Sequence, residues 1–288
     1  MEELIFRMLK ASILLMIPAT GELFNQRAGS LNIGIEGMML IGVLSTIVVG
    51  EITGNIWLAV LGGMAAGGIL GVLNGFMAVS LRVDQVASGL GIWIFALGGT
   101  TYFGAKYWGT SPVRLPTFSI GSVSFTPMML IAPLIVFISW WILERTQFGL
   151  KVKSTGEDPR IAEVWGTDVF RIRYLGMIVS GVTAGLGGAY LITHYTTVWA
   201  PELTAGRGWI ALALVFFSLH KAKYIGLSSL FFGGIWILAL QIPGWIGGNI
   251  QLIRAIPYTA TVVVLFAFRY FYKTTEEPES LGLPYFRE

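Results

Sequence analysis

The sequence predicts an all-α integral membrane protein, a polytopic helical bundle of about eight membrane elements. The chain is 55% hydrophobic and only 12% charged, about half the charge of an ordinary soluble domain, and its mean hydropathy is +0.72. Charge-free runs recur at 52–81, 85–105, 115–143, 174–201 and 224–253, each reaching the roughly 20 residues a helix needs to cross ~30 Å of hydrocarbon. The 37 glycines are scattered inside these runs, as in "GGMAAGGILG" and "GLGGAY", which suits close packing of helices in lipid.

The opening "MEELIFRMLKASILLMIPAT" carries acids ahead of its bases and no small-residue cleavage pattern, so it reads as a first membrane element and not a signal peptide. Two later segments are too short for simple crossings. Residues 37–50 and 208–220 are charge-free for only 14 and 13 residues, and each follows a polar, glycine-rich approach, "NQRAGSLNIGIEG" and "TAGRG". Short, interrupted apolar segments in corresponding halves point to broken helices around a transport pathway, where unwound backbone lines a cavity and does not face lipid. The transmembrane domain spans 1–272; the tail 273–288, "KTTEEPESLGLPYFRE", is polar and proline-containing and is expected to be loosely ordered in the cytoplasm.

The charge concentrates at 144–173, which holds six basic and five acidic residues. If this stretch is cytoplasmic, its side of the membrane carries 12 Lys and Arg against four opposite (Lys106, Arg114, Arg207 and Arg254), as the positive-inside rule requires. The bases sit at the ends of apolar runs, with no basic face bearing interleaved aromatics, so nucleic acid is not a partner. Within the stretch, "GEDPRIAEVWG" has the grammar of a short helix at 159–166: Asp158 caps it, Pro159 suits its first position and Gly166 can end it in the left-handed conformation. Two turns are marginal alone and need packing. No G-x-x-x-x-G-K-[ST] loop is present, so energy must arrive from a partner through this surface.

"GLKVKSTGEDPRIAEVWGTDV" resembles the coupling loop of ATP-binding cassette importer permeases. "GELFNQRAGSLNIGIEGMMLIGV", "VDQVASGLGIWIFALGGTTY" and "GRGWIALALVFFS" resemble blocks of the subgroup that imports nucleosides and simple sugars, related to ribose and branched-chain amino acid permeases. The set covers about 21–219. The resemblance implies a multi-pass protein of a prokaryotic inner membrane. It implies a second homologous permease, as heterodimer or homodimer, two ATPase subunits that bind ATP and Mg, and an extracytoplasmic substrate-binding protein. It assigns coupling to Gly149, Gly156, Glu157, Asp158, Pro159, Ile161, Ala162, Val164, Trp165 and Gly166, and implies no cofactor bound by this chain.

Six residues are candidates for the substrate pathway. A carboxylate at membrane depth costs about 2.5 kcal/mol or more, which makes Glu36 a functional candidate; it can bond a substrate hydroxyl, pair with Arg27 or cap a broken helix. Asn25 and Asn32 can serve hydroxyls or satisfy unwound backbone. Asn74 can bond across helices, and Trp93 can stack on a base or simply pack, like Phe95. Arg207 is expected at the outer mouth, or paired with Glu202. His194 and His220 lie 26 residues apart without ligand spacing, so no metal site is expected, and no catalytic group is found. A self-sufficient secondary transporter or channel would need ionisable residues relayed through the spans, and those spans hold almost none.

Overall fold

The computed structural model describes residues 2–110, 114–120, 123–246 and 277–287, together with Thr259, Val262, Val263 and Phe266. Arg254 and residues 273–276 lie outside the described residues. Among the described residues, the α-helical elements with defined bounds are, in order, α1 (Glu2–Arg27), α2 (Ile35–Thr53), α3 (Ile56–Gly75), α4 (Gln85–Gly104), α5 (Met128–Arg145), α6 (Gln147–Glu157), α7 (Pro159–Val164), α8 (Val169–Tyr190), α9 (Arg207–Phe217) and α10 (Ala222–Ile246). Among the described residues, seven helical stretches are long and apolar enough to cross a membrane, and α9 is a shorter apolar helix beside them. Single π-helical turns extend α3 through Ser80 and α8 through Tyr195.

Two expectations about span limits change. Residues 37–50 are not a short helix, because α2 runs on to Thr53 with Glu51 exposed in its last turn. An end-of-helix carboxylate in water costs little, so charge spacing misplaced the boundary. The division falls at Gly54, left-handed at φ 62°, whose N–H closes α2 on Gly50 O, and at Asn55, whose side chain accepts from Trp57 N and Leu58 N to start α3. The run 115–143 is likewise not one helix. Phe118–Ile120 pairs antiparallel with Val123–Phe125, and α5 begins only at Met128, after Pro127.

The core is packed around α8, against which α1 and α3 run antiparallel. Gly21 of α1 faces Thr183, Asn25 faces Gly176, and the Tyr190 hydroxyl donates to Lys10 O. Along α3, Gly63, Gly67 and Gly71 meet Gly185, Gly181 and Met177 so closely that a Cβ on Gly67 would overlap the Gly181 carbonyl. α10 packs antiparallel on α1, with Gly233 against Ser12 and His220 bonded to Gln26. The C-terminal end of α1 therefore shares one face of the bundle with the 144–173 loop, and the N-terminus lies on the opposite face.

Candidate transport pathway and coupling surface

The two polar approaches that the sequence marks as broken are brought together by one carboxylate. Glu36, in the first turn of α2 and 3% exposed, accepts from Thr204 Oγ1 at 2.6 Å and Gly206 N at 2.7 Å through Oε1, and from Gly208 N at 2.6 Å through Oε2. It caps α9, not its own helix. A negative group is favoured there by the unpaired N–H groups and the positive end of the helix dipole. Gly206 supplies a left-handed φ of 76°, and at Gly208 a Cβ would stand 2.6 Å from Glu36 Cα, so both glycines are needed for the approach. Arg207 turns back to donate to Leu203 O and Thr204 O, with its guanidinium 4.6 Å from the centre of the Trp236 ring.

Beside this cap opens a cleft of about 400 Å³ lined by Glu36, Leu40, Trp93, Leu97, Trp209, Glu202 and residues 204–206. Trp93 and Trp209 meet edge to face at 4.9 Å, and the Trp209 indole N–H donates to Ile33 O. Trp93 stands eight residues into α4, about 12 Å along its axis, so the cleft reaches well inside the bundle. Phe95 is 62% exposed on the periphery.

Asn25, Asn32 and Asn74 are gathered elsewhere, in a packed polar cluster in which all three are fully buried. Its centre is Glu22 of α1, a residue that sequence reasoning missed. Glu22 accepts from Ser180 Oγ (2.7 Å), Gln26 Nε2 (3.1 Å), Asn32 N (3.2 Å) and Asn25 Nδ2 (3.3 Å). Asn32 Nδ2 donates to Ser180 Oγ, Asn74 Nδ2 to Asn32 Oδ1, and Ser88 Oγ to Asn74 Oδ1. With Gln85 accepting from Leu31 N, the cluster satisfies the unwound backbone between α1 and α2, as a non-helical segment at membrane depth requires. The available signal was local: in "GELFNQR" an acid precedes an Asn and a Gln at helical spacing.

On the loop face, Thr146 caps α6 and Asp158 caps α7, accepting from Arg160 N and Ile161 N, while Gly166 at φ 82° ends the turn. This is the local grammar legible in the sequence. Gly149 packs on the Ile142 and Leu143 carbonyls and Gly156 on the Arg27 carbonyl, so α6 folds back against the ends of α5 and α1. Pro159 opens α7 and Ala162 turns inward, whereas Ile161, Val164 and Trp165 point out, the last two 87% and 84% exposed. Glu157 is exposed at the junction.

The tail departs from expectation: its described residues, 277–287, are docked on this loop. Ser280 donates from N and Oγ to Gly156 O, Gly282 N donates to Gly29 O, and buried Arg173 donates to Leu283 O at 2.7 Å and Ser280 Oγ at 3.1 Å. The Tyr285 hydroxyl and the Arg287 guanidinium both donate to the Glu163 carboxylate. These donors hold the Glu163 carboxyl below the usual carboxylate range, while burial and the same contact raise the Tyr285 phenol. Polar composition predicted looseness because it cannot register a buried guanidinium waiting for tail carbonyls.

Residues 4–270 match the protein family described as branched-chain amino acid transport system, permease component. The chain belongs to that permease family. It is 37% identical, over 81% of its length and 75% of the relative's, to a putative glucose ABC transporter permease of Haloferax volcanii. It is 31% identical to the guanosine ABC transporter permease NupQ of Bacillus subtilis, over 95% of this chain and 93% of the relative. It is also 31% identical to the nucleoside ABC transporter permease NupC of Lactococcus lactis, over 92% of each. The permease is therefore a multi-pass membrane subunit of an ATP-binding cassette importer, a class that works with ATPase and substrate-binding partners.

Proposed function

We propose that this permease carries a nucleoside inward across the inner membrane of a prokaryote, with the 144–173 loop cytoplasmic. Its partners in this reading are two ATPase subunits holding ATP and Mg, a second homologous permease and an extracytoplasmic binding protein; the chain itself carries no nucleotide-binding motif and does no bond chemistry. The observation that carries the reading is α7, a helix ordered at both ends that turns Val164 and Trp165 outward beyond the spans, where an apolar surface calls for a protein partner. ATP-driven movement of that helix reaches the pathway through α6, α8 and the α1 end on which Gly156 rests.

The cleft beside Trp93 and Trp209 supports a nucleoside, because an indole face suits a planar base and the Glu202 carboxylate in its lining can accept from ribose hydroxyls. The glucose permease among the relatives favours a simple sugar as the second reading. The test is reconstitution of the permease with its co-purifying ATPase and binding protein. Guanosine or adenosine on the binding protein should stimulate ATP hydrolysis and uptake, and Trp165→Ala or Ile161→Asp should abolish both. Stimulation by glucose or ribose alone would move the substrate to sugars; intact ATPase association in Ile161→Asp would remove α7 from the coupling role.

A further inference from the structure

We infer that the ATPase docks on a composite surface made of α7 together with tail residues Leu283–Arg287, and that the tail, pinned at Arg173, fixes the pose of α7. The inference rests on the coupling role of α7 proposed above and adds a second element to it.

Three observations carry it. α7 has six residues, too few to hold a conformation alone, and its Glu163 is gripped by Tyr285 and Arg287. The tail is in turn anchored at points that do not move independently: Gly29 beyond the end of α1, Gly156 at the end of α6, and buried Arg173 in the second turn of α8. A buried guanidinium stripped of those acceptors would be left without partners, so release of the tail is costly. Finally, Leu283 and Phe286 are 57% and 55% exposed, and Phe286 shares a cavity of about 350 Å³ with Val164, Arg160, Glu163, Tyr285 and Arg287. The apolar patch begun by Val164 and Trp165 thus continues onto the tail. It lies past the first residue of α8, among Arg160, Arg171 and Asp168, where hydrocarbon does not cover it. The partner that must reach α7 covers the tail with it.

The test uses the assembled transporter with a photo-crosslinking residue in place of Phe286 and, in a separate preparation, in place of Trp165. Both should capture the ATPase subunit, identified by mass spectrometry. Leu283→Glu with Phe286→Glu changes exposed side chains only. It should lower ATPase co-purification about tenfold or more, as loss of an interface anchor does, with the permease still monodisperse. Capture at 165 but not at 286, capture of lipid alone at 286, or full ATPase retention by the double variant would overturn the composite surface and leave α7 as the sole dock. Failure of capture at both positions would instead overturn the coupling role itself.

Discussion

The Glu36 carboxylate accepts the Gly208 amide at 2.6 Å across 172 residues of sequence, which ties the first turn of α2 to the first turn of α9. Both helices thus begin at one carboxyl group deep in the bundle. Replacing Glu36 with Ala leaves the buried Gly208 N–H and Thr204 hydroxyl without that acceptor, at about 1–3 kcal/mol each, and frees the half-buried Gly206 N–H as well. The variant should unfold several degrees lower in detergent and lose uptake. Glu36→Gln keeps the shape and one acceptor, and should fall between. Unchanged melting and uptake in Glu36→Ala would mean that the cap is dispensable.

The polar cluster makes a coupling prediction. Asn74 donates to Asn32, which donates onward to Ser180 and so to Glu22. Asn32→Ala and Asn74→Ala should each destabilise the permease, and the double variant should cost less than their sum by about 0.6–2 kcal/mol. Additive melting shifts would show that the two residues act separately.

The α3–α8 seam leaves no room for a side chain. Gly185→Val should overpack against the Gly63 carbonyl, cost about 1–3 kcal/mol or more, and lower the monodisperse fraction in size-exclusion chromatography. Gly98→Val, at a position with open space beside it, is the matched control and should behave as the parent does.

The tail contact has a predictable pH dependence. The Glu163 carboxyl is held below its ordinary value, first by the Tyr285 hydroxyl and then by Arg287. A depressed carboxyl contributes above its unfolded pKa and loses that contribution as pH falls through the folded one. A fluorophore beside Arg287 should therefore report the Glu163 contact at neutral pH and its release only in acid below the ordinary carboxylate range, while the Arg173 anchor at Leu283 O holds the rest of the tail. In Glu163→Gln that transition should vanish. Release near pH 7 would contradict the assignment.

Much of the site was legible because its signals are local. Asp158, Pro159 and Gly166 spell a helix start and stop in nine residues, and apolar run length gives most of the spans, since hydrocarbon leaves backbone no partner but its own helix. What escaped was remote. Glu22 was overlooked because the partners that make its burial tolerable come from Asn32 and Ser180, and the tail was read as loose because Arg173 is 110 residues from Leu283. The six pathway candidates do not share one site: Asn25, Asn32 and Asn74 fill a packed cluster, Glu36 and Trp93 line a cleft, and Arg207 turns to Leu203 O, Thr204 O and the Trp236 ring.

By itself the sequence determined a helical membrane bundle, the charged loop with its short helix at Asp158–Gly166, and the two polar, glycine-rich approaches where helices are interrupted. Only the tertiary structure decided that one carboxylate joins those breaks and that the tail clamps the loop. Composition and spacing set the free energy of each segment in its solvent. The pairing of a buried charge depends on which distant donors the packing delivers to it.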